Sequence, residues 1–381
     1  MRRYVATVAR LVPPLLRRRP PAEPPLSSAT IDLRAPDVAR DPFPRYEALR
    51  QEGSVLFLPR HDYWIVLSHE AVRSAFSRPE YFSNALYRNV DAVLLAADPP
   101  EHTAIRRIVA KFFSPTVTAR LEDTASRLAD ALVRPELDVV SDYGIPVSRG
   151  VTADLLGLDE TSVDDIVAAE TRSKDAADPV ADFIVRFDAM AHRSSMFDAL
   201  IDAGVPDESA RSLVRLMWLA GITTTQRLIA HAVLRLIGDE QDQQALRTDP
   251  ALMRPFLEEV LRLHPPEHVV LRVARADVEL DGVMIPAGAQ VRLCLSAANR
   301  DPAHYDQPDQ HRLDRGSMRH FTLGAGAHAC IGAHVGRATA SIAVATLLRR
   351  SSVLRSRLPP DEIRYFATET ALSPESLQVR L

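Results

Sequence analysis

The chain has few cysteines and almost no lysine, and both shortages narrow what it can be. Two cysteines in 381 residues are too few for the disulfide framework of a small secreted protein, so a reducing cytoplasm is the expected compartment. The sequence has no Cys-x-x-Cys or His-Glu-x-x-His pair, which argues against a zinc site. Only Lys111 and Lys174 are lysines, and the net charge is −4, so we expect no nucleic-acid partner.

The sequence also lacks an apolar run long enough to cross a bilayer. Residues 1–36 are basic and then proline-rich, and Arg10 and Pro13 interrupt the apolar part. No small-residue cleavage site follows convincingly. We expect residues 1–36 to be an extension, either disordered or weakly attached to a membrane surface. Residues 37–381 have the length and composition of a single large domain.

Helical patterns dominate the middle of the chain, and strand patterns cluster near both ends. The strongest helical runs are at 213–237 and 333–350. Strands are predicted at 55–58, 63–66, 269–274, 278–280 and 290–295. The predicted fold class is therefore mainly α with small β-sheets.

Cys330 ends a stretch of small residues that suits a large flat ligand. Residues 323–332 read Leu-Gly-Ala-Gly-Ala-His-Ala-Cys-Ile-Gly, and a helical pattern follows. The loop N–H groups and the helix N-terminus would stabilise a negatively charged sulfur. A lone thiolate on iron is the ligation of haem-thiolate enzymes. The alternative is a buried structural cysteine, which is the most common fate of a free cysteine.

This stretch resembles the haem-binding loop of the cytochrome P450 family. The family pattern is Phe, two residues, Gly, one residue, His or Arg, one residue, Cys, one residue and Gly. We assign Gly324 to the first glycine of this pattern and His328 to its basic position. Cys330 takes the cysteine position and Gly332 the final glycine. Gly326 also suits a glycine-rich loop. Leu323 stands where the family has phenylalanine, which affects the packing above the sulfur rather than the ligation.

The resemblance covers about residues 37–381 and implies the cytochrome P450 fold, with haem b bound through Cys330. It places Leu323 and Gly324 beside the haem. It also implies that the haem propionates are held by side chains at four matching positions: His102, Arg106, Arg272 and His328.

The segment before His102 has the composition of a helix start. Asp98 is a candidate N-cap, and Glu101 would complete a capping box. His102 and Arg106 would then lie four residues apart on one helix face. Taken alone, such a pair is usually a solvated surface, so its assignment to the propionates depends on the resemblance.

Glu259 and Arg262 form the second signature of the family. Their i, i+3 spacing allows an ion pair on one helix face, and the resemblance implies that this pair is buried and structural. Gln310 stands where many relatives carry an arginine. We therefore expect a weaker ionic lock, without the usual third charged member.

The helix at 213–237 carries the third signature, which in the family lies beside bound dioxygen. Gly221 costs about 1 kcal/mol inside a helix, and we interpret it as a close approach to haem and O2. The resemblance implies O2 activation beside Thr224, preceded by an acid, but Thr223 occupies the acid position. Cleavage of the O–O bond needs two protons, and Thr223 can relay a proton without being its source. Four explanations of Thr223 remain open. Water alone delivers the proton, or a substrate hydroxyl or carboxyl completes the relay. Otherwise the enzyme runs a chemistry that depends less on this proton path, or Thr223 is simply a tolerated variant.

By position in the family, five residues should line the distal substrate pocket: Leu216, Leu219, Ala220, His268 and Val270. Residues 84–97 should form its lid. The lining is mainly apolar, as is normal for a ligand pocket, and it does not specify a molecule.

The face around Cys330 should be basic, through Arg106, Arg107, Lys111 and Arg337. Such a face suits an acidic electron donor, and the resemblance implies a ferredoxin and its reductase, with electrons from NAD(P)H. The chain thus reads as a cytoplasmic, monomeric bacterial monooxygenase that hydroxylates or epoxidises a small to medium apolar natural product, free or bound to a carrier protein. Two alternatives remain: a haem-thiolate enzyme that uses peroxide or couples substrates oxidatively, and a haem-binding sensor.

Overall fold

The computed structural model describes residue 28 and residues 31–90, 93–316 and 319–381. Most of the predicted extension at 1–36 therefore lies outside the described residues. The helices are α1 Pro36–Arg40, α2 Phe43–Glu52, α3 His69–Phe76, α4 Val93–Ala96, α5 Glu101–Val109, α6 Pro115–Leu132, α7 Ile145–Leu156, α8 Glu160–Ser173, α9 Pro179–Asp188, α10 Ser195–Asp202, α11 Asp207–Ile237, α12 Glu240–Thr248, α13 Met253–Leu263, α14 Leu295–Ala298 and α15 Ala333–Arg350. The strands are β1 Val55–Leu58, β2 Tyr63–Val66, β3 Phe82–Ser83, β4 Glu136–Asp138, β5 Val269–Ala274, β6 Val278–Leu280, β7 Val283–Ile285, β8 Gln290–Cys294, β9 Arg355–Ser356, β10 Tyr365–Ala367, β11 Leu372–Pro374 and β12 Gln378–Arg380.

The strands form one five-stranded sheet and three smaller sheets, which confirms the predicted mainly α class with small β-sheets. The large sheet has the order β1-β2-β8-β5-β3, in which only β2 and β8 run parallel. The predicted hairpin of β1 and β2 forms with Val55 opposite Val66. Strand β8 ends one residue before the predicted 295, because Leu295 already begins α14.

Helix α11 runs through the middle of the molecule and packs against α7 and α15. It begins at Asp207, earlier than the predicted 213, because Asp207 and Glu208 supply favourable negative charge to its first turn. Apolar clusters surround it along its length, and Trp218 is fully buried. Within the described residues, no helix combines the length and the apolar character needed to cross a membrane.

Gly221 serves the packing of α11 against α7. A Cβ atom at this position would lie 2.7 Å from Thr152 Oγ1 and 3.3 Å from Thr152 Cγ2, far closer than real Cβ contacts. The structure therefore gives Gly221 a packing reason, and the predicted approach to haem and O2 stays a prediction. The glycine lets two helices of the core come together.

Four histidines lie together where α11, α13 and the start of β5 meet: His231 and His268 are buried, and His264 and His311 are half-buried. The rings of His231 and His264 stack with centroids 5.0 Å apart. Burial lowers the pKa of His231 to about 4, of His268 to about 3 and of His311 to about 4. Nearby arginine charges act in the same direction, so the folded protein favours the neutral form of these rings.

This cluster predicts that the protein loses stability in mild acid. An unfolded histidine titrates near pH 6.5. Below that pH the unfolded chain therefore binds protons that the folded cluster, with its lowered pKa values, does not bind. Stability is thus fully present above about pH 6.5 and falls as the pH drops toward 4, by about 1–2 kcal/mol per histidine at pH 5. Urea unfolding at pH 7.5 and pH 5 measures the loss. His231→Gln should make the pH dependence shallower, whereas His334→Gln at the surface should not; equal stability at the two pH values would contradict the prediction.

Candidate active site

The Cys330 sulfur lies at the start of α15 and is accessible. The Cys330 N–H donates to the Leu323 carbonyl at 2.7 Å, which closes the loop. Surrounding protein raises the pKa of the Cys330 thiol, while the Gly332 N–H and the charges of Arg106 and Arg337 act in the opposite direction. No group of three or more His, Cys, Asp or Glu able to hold a metal occurs among the described residues. Any metal held here would therefore depend on the single thiolate.

The loop needs glycine at position 326. Gly326 has φ +66°, and a Cβ atom there would lie 2.8 Å from the Phe76 carbonyl oxygen. Gly324 also has φ +66°, but its added Cβ would lie 3.1 Å from the His328 carbonyl oxygen, a less severe contact. Counted back from Cys330, the glycine of the family pattern is Gly326. Our assignment of Gly324 to that position was wrong by two residues, and the close approach of the Phe76 carbonyl gives a physical reason for glycine at position 326.

Leu323 and Phe321 occupy different surroundings. Leu323 is half-buried and packs against the apolar cluster formed by α11, α13 and α15. Phe321 is buried, with its ring 5.6 Å from that of Phe76 and 4.5 Å from that of His69. Phe321, which lies two residues before the phenylalanine position of the family pattern, therefore fills the core behind the loop.

The four residues assigned to the propionates come together. The rings of His102 and His328 lie 4.0 Å apart, and Arg106 Nη2 donates to the Ala329 carbonyl at 2.6 Å. Arg272 is buried on β5, 5% exposed. Burial and the positive charges of His102, Arg272 and Arg106 lower the pKa of His328 to about 3.

These residues have unused hydrogen-bonding capacity. Both ring nitrogens of His102 and Nε2 of His328 are buried and have no hydrogen-bond partner in the described part of the chain. Burial and the charge of Arg106 lower the pKa of His102. A buried, positively polarised set with unpaired polar atoms fits a ligand that brings its own carboxylates. The residues present thus fit the two ends of a haem group: its iron at Cys330 and its propionates at this set.

Asp98 does not cap α5. The helix begins at Glu101 after Pro100, with no side-chain cap. The Asp98 carboxylate instead accepts from Ser83, from the Asn84 N–H at 3.0 Å and from Arg275. The capping prediction was wrong because a sheet edge competes for the carboxylate. His102 and Arg106 still lie on one face of α5.

Helix α11 exposes one narrow stripe. Its accessible positions include Leu216, Leu219, Ala220, Thr223 and Thr224, which lie on one face by their i, i+3, i+4 spacing. The Thr224 hydroxyl donates to the Ala220 carbonyl at 2.7 Å. The upper part of the stripe is apolar and its lower part carries the two hydroxyls. This is the arrangement of a pocket wall that ends at a polar site.

The two predicted pocket residues outside α11 differ in their exposure. Val270 on β5 is half-buried and remains a candidate. His268 is buried, 1% exposed, with its ring 6.0 Å from that of Phe43, so we no longer place it in the pocket. Its ring turns into the histidine cluster. The predicted lid contains the 3₁₀ helix Ala85–Val90 and α4, while residues 91–92 lie outside the described chain.

Glu259 and Arg262 form a fully buried bidentate pair, at 2.7 and 3.0 Å. Arg262 also donates to the carbonyls of Asn299 and Gln310, each at 3.0 Å. This ionic lock does have a third charged member, because Arg315 Nε lies 3.0 Å from Glu259 Oε2. The expectation of a weaker lock was wrong, because a second arginine reaches the carboxylate from beyond Gln310. Only its position in the fold identifies Arg315.

The predicted basic face is smaller than expected. Arg107 and Lys111 are exposed, but Arg337 pairs with Glu258 at 2.6 and 2.9 Å. Burial opposes ionisation of Glu258, yet its bonds to His320 and Arg337 lower its pKa to about 2. Arg337 therefore contributes little free positive charge.

Comparison with known proteins identifies the family of the chain. A family model for cytochrome P450 matches residues 195–379. Cytochrome P450 109 of Bacillus spizizenii is 30% identical over 374 residues, 89% of this chain and 92% of that protein. The cytochrome P450 monooxygenase PikC of Streptomyces venezuelae is 30% identical over 402 residues, 93% of this chain and 95% of that protein. The structure of HmtN, a post-tailoring hydroxylase involved in himastatin biosynthesis, matches with a TM-score of 0.80 and 25% identity over 88% of this chain and 96% of HmtN. The chain therefore belongs to the cytochrome P450 family and is an enzyme of its monooxygenase type.

Proposed function

We propose that this enzyme binds haem b through Cys330 and uses O2 to hydroxylate or epoxidise a small to medium apolar natural product. The observation that carries the proposal is the pairing of an accessible sulfur with a buried set of unpaired polar side chains. When bound, haem supplies the oxidising chemistry. The residues of the chain bind it, orient the substrate and deliver protons.

The haem-holding roles follow from the donors. Arg106 and Arg272 carry permanent charge, and His102 and His328 offer unpaired ring nitrogens. Together they would balance two propionates in a buried site. Gly324 and Gly326 keep the loop before Cys330 free of side chains, and Leu323 packs against the apolar cluster behind it.

The pocket favours an apolar substrate. Leu216, Leu219, Ala220 and Val270 present hydrocarbon surface, and Thr224 lies at the polar end of the same α11 stripe. HmtN acts in the biosynthesis of a natural product, which supports a role in secondary metabolism here. Either a free substrate or a carrier-bound one is compatible with this lining.

We propose that a ferredoxin and its reductase, using NAD(P)H in the cytoplasm, supply the electrons. Arg107 and Lys111 are the exposed cations that would meet an acidic partner.

Turnover experiments test the proposal. Product should form with ferredoxin, reductase, NAD(P)H and O2, and Thr224→Ala should reduce product per NAD(P)H about tenfold or more while hydrogen peroxide release rises. Thr248→Ala is the matched control, because Thr248 makes the same bond to the carbonyl four residues earlier, to Gln244 at 2.9 Å, on a surface helix. Peroxide supporting better turnover than the donor proteins, with Thr224→Ala neutral, would favour the peroxide-using alternative. No turnover from either source would contradict the proposed oxygenation of an apolar natural product.

A further inference from the structure

Strand β3 covers only the last part of the edge of β5. The two strands pair through Phe82 opposite Ala274 and Ser83 opposite Val273. In an antiparallel pair, alternate residues of a strand direct both of their backbone groups to the same neighbouring strand. Leu271 lies two residues before Val273, so its N–H and its carbonyl point to the side on which β3 has already ended.

Two side chains satisfy the backbone groups of Leu271 at this edge. The Leu271 N–H donates to the Tyr87 hydroxyl at 3.0 Å, and the Leu271 carbonyl accepts from Arg272 Nη1 at 2.7 Å. Burial raises the pKa of the Tyr87 hydroxyl, against the charge of Arg272, so the hydroxyl keeps its proton near neutral pH. Tyr87 therefore acts on the strand through a hydrogen bond and not through charge.

Contacts with Phe76 place Arg272 beside the Cys330 loop. The guanidinium carbon of Arg272 lies 5.4 Å from the centre of the Phe76 ring. The Phe76 carbonyl oxygen is the atom that a Cβ at Gly326 would meet at 2.8 Å, so Phe76 touches both the arginine and the loop. A guanidinium has five N–H donors, and the bond to Leu271 uses one of them. The others can bind a carboxylate next to the loop.

We propose that Tyr87 is a positioning residue for haem binding, because it holds Leu271 and thereby fixes the carbonyl that orients Arg272 toward a propionate. An arginine side chain has several rotatable bonds, and fixing them before binding lowers the entropic cost of the contact. Without the Tyr87 hydroxyl, this edge of β5 would be free to move, and the guanidinium would move with it. This inference rests on the proposed function, since it needs haem.

Tyr87→Phe tests the proposal, since it keeps the ring and removes only the hydroxyl. The Leu271 amide should exchange with deuterium about fivefold faster, because it loses its acceptor. The rate of haem dissociation should rise about threefold to tenfold, while the remaining bound haem keeps the thiolate CO spectrum of Cys330. Tyr143→Phe is the matched control, because the Tyr143 hydroxyl also bonds to the backbone, at the Ala343 carbonyl 2.8 Å away in the helical core. Its loss should change neither rate.

A double variant tests whether Tyr87 acts through Arg272. Arg272→Gln should raise the rate of haem dissociation about tenfold or more, because it removes a permanent charge from a propionate. If Tyr87 positions that charge, adding Tyr87→Phe to Arg272→Gln should raise the rate little further. The propionate bands of the resonance Raman spectrum should shift in both single variants and should stay in place in Tyr143→Phe.

Three results would overturn the positioning role. One is an unchanged exchange rate of the Leu271 amide in Tyr87→Phe, and another is faster exchange with unchanged haem dissociation. The third is that the effects of Tyr87→Phe and Arg272→Gln on haem dissociation multiply in the double variant. A wild-type protein without the thiolate CO spectrum would instead refute the proposed function. The exchange of the Leu271 amide would still report on the Tyr87 bond in that case, so the two failures are distinguishable.

Discussion

Cys330→Ser is expected to abolish the thiolate-type Soret band of the reduced CO complex and to lower monooxygenation at least about 100-fold. The serine hydroxyl stays protonated near neutral pH and cannot replace a thiolate as the axial ligand. The substitution removes little packing, because the side chain is accessible. The loss should therefore appear in the spectrum and in turnover and not in the yield of folded protein.

Cys294→Ala provides the control, since Cys294 is the other of the two cysteines in the sequence. It is fully buried at the end of β8, where burial raises the pKa of its thiol to about 12. The Cys294→Ala variant should keep the thiolate spectrum. A thiolate-type CO spectrum in Cys330→Ser would show that the ligand is not Cys330 and would remove the central assignment.

Glu259→Ala should lower the free energy of unfolding by about 3–5 kcal/mol. Removing the carboxylate leaves Arg262, which is 0% exposed, without its bidentate partner and Arg315 without its only carboxylate contact in the described structure. Such a loss is a large fraction of the total stability of a domain. The segment between β8 and the Cys330 loop should detach, so haem retention should fall as well. Urea unfolding and the haem-to-protein absorbance ratio measure the two effects.

An exposed ion pair serves as the control for the buried Glu259–Arg262 pair. Arg355 and Glu240 form an ion pair at 3.0 Å with side chains 69% and 63% exposed. Arg355→Ala should change stability by less than about 0.5 kcal/mol, because water and salt screen such pairs. A small effect of Glu259→Ala, similar to that of Arg355→Ala, would mean that the lock is not essential.

Patterns that depend on neighbouring residues were predictable. The hairpin of β1 and β2 and the helix α15 were located correctly because alternation and helical spacing are read within one segment. The hydrogen bonds of the Asp98 side chain were not predictable. Donors from Ser83, Asn84 and Arg275, in other parts of the chain, compete with the helix N-terminus for its carboxylate. A cap motif states what a carboxylate can do locally and not which donors will reach it.

The sequence by itself was enough to predict the family, and it supplied the proposed metal ligand Cys330 and the hydroxyl pair on α11. Each is carried by a short motif whose spacing is set within one loop or one helix. Only the tertiary structure decided that Arg315 completes the ionic lock and that Gly221 accommodates Thr152. Those contacts join residues dozens of positions apart, and the energy that fixes them comes from burial shared by whole elements, which no local spacing encodes.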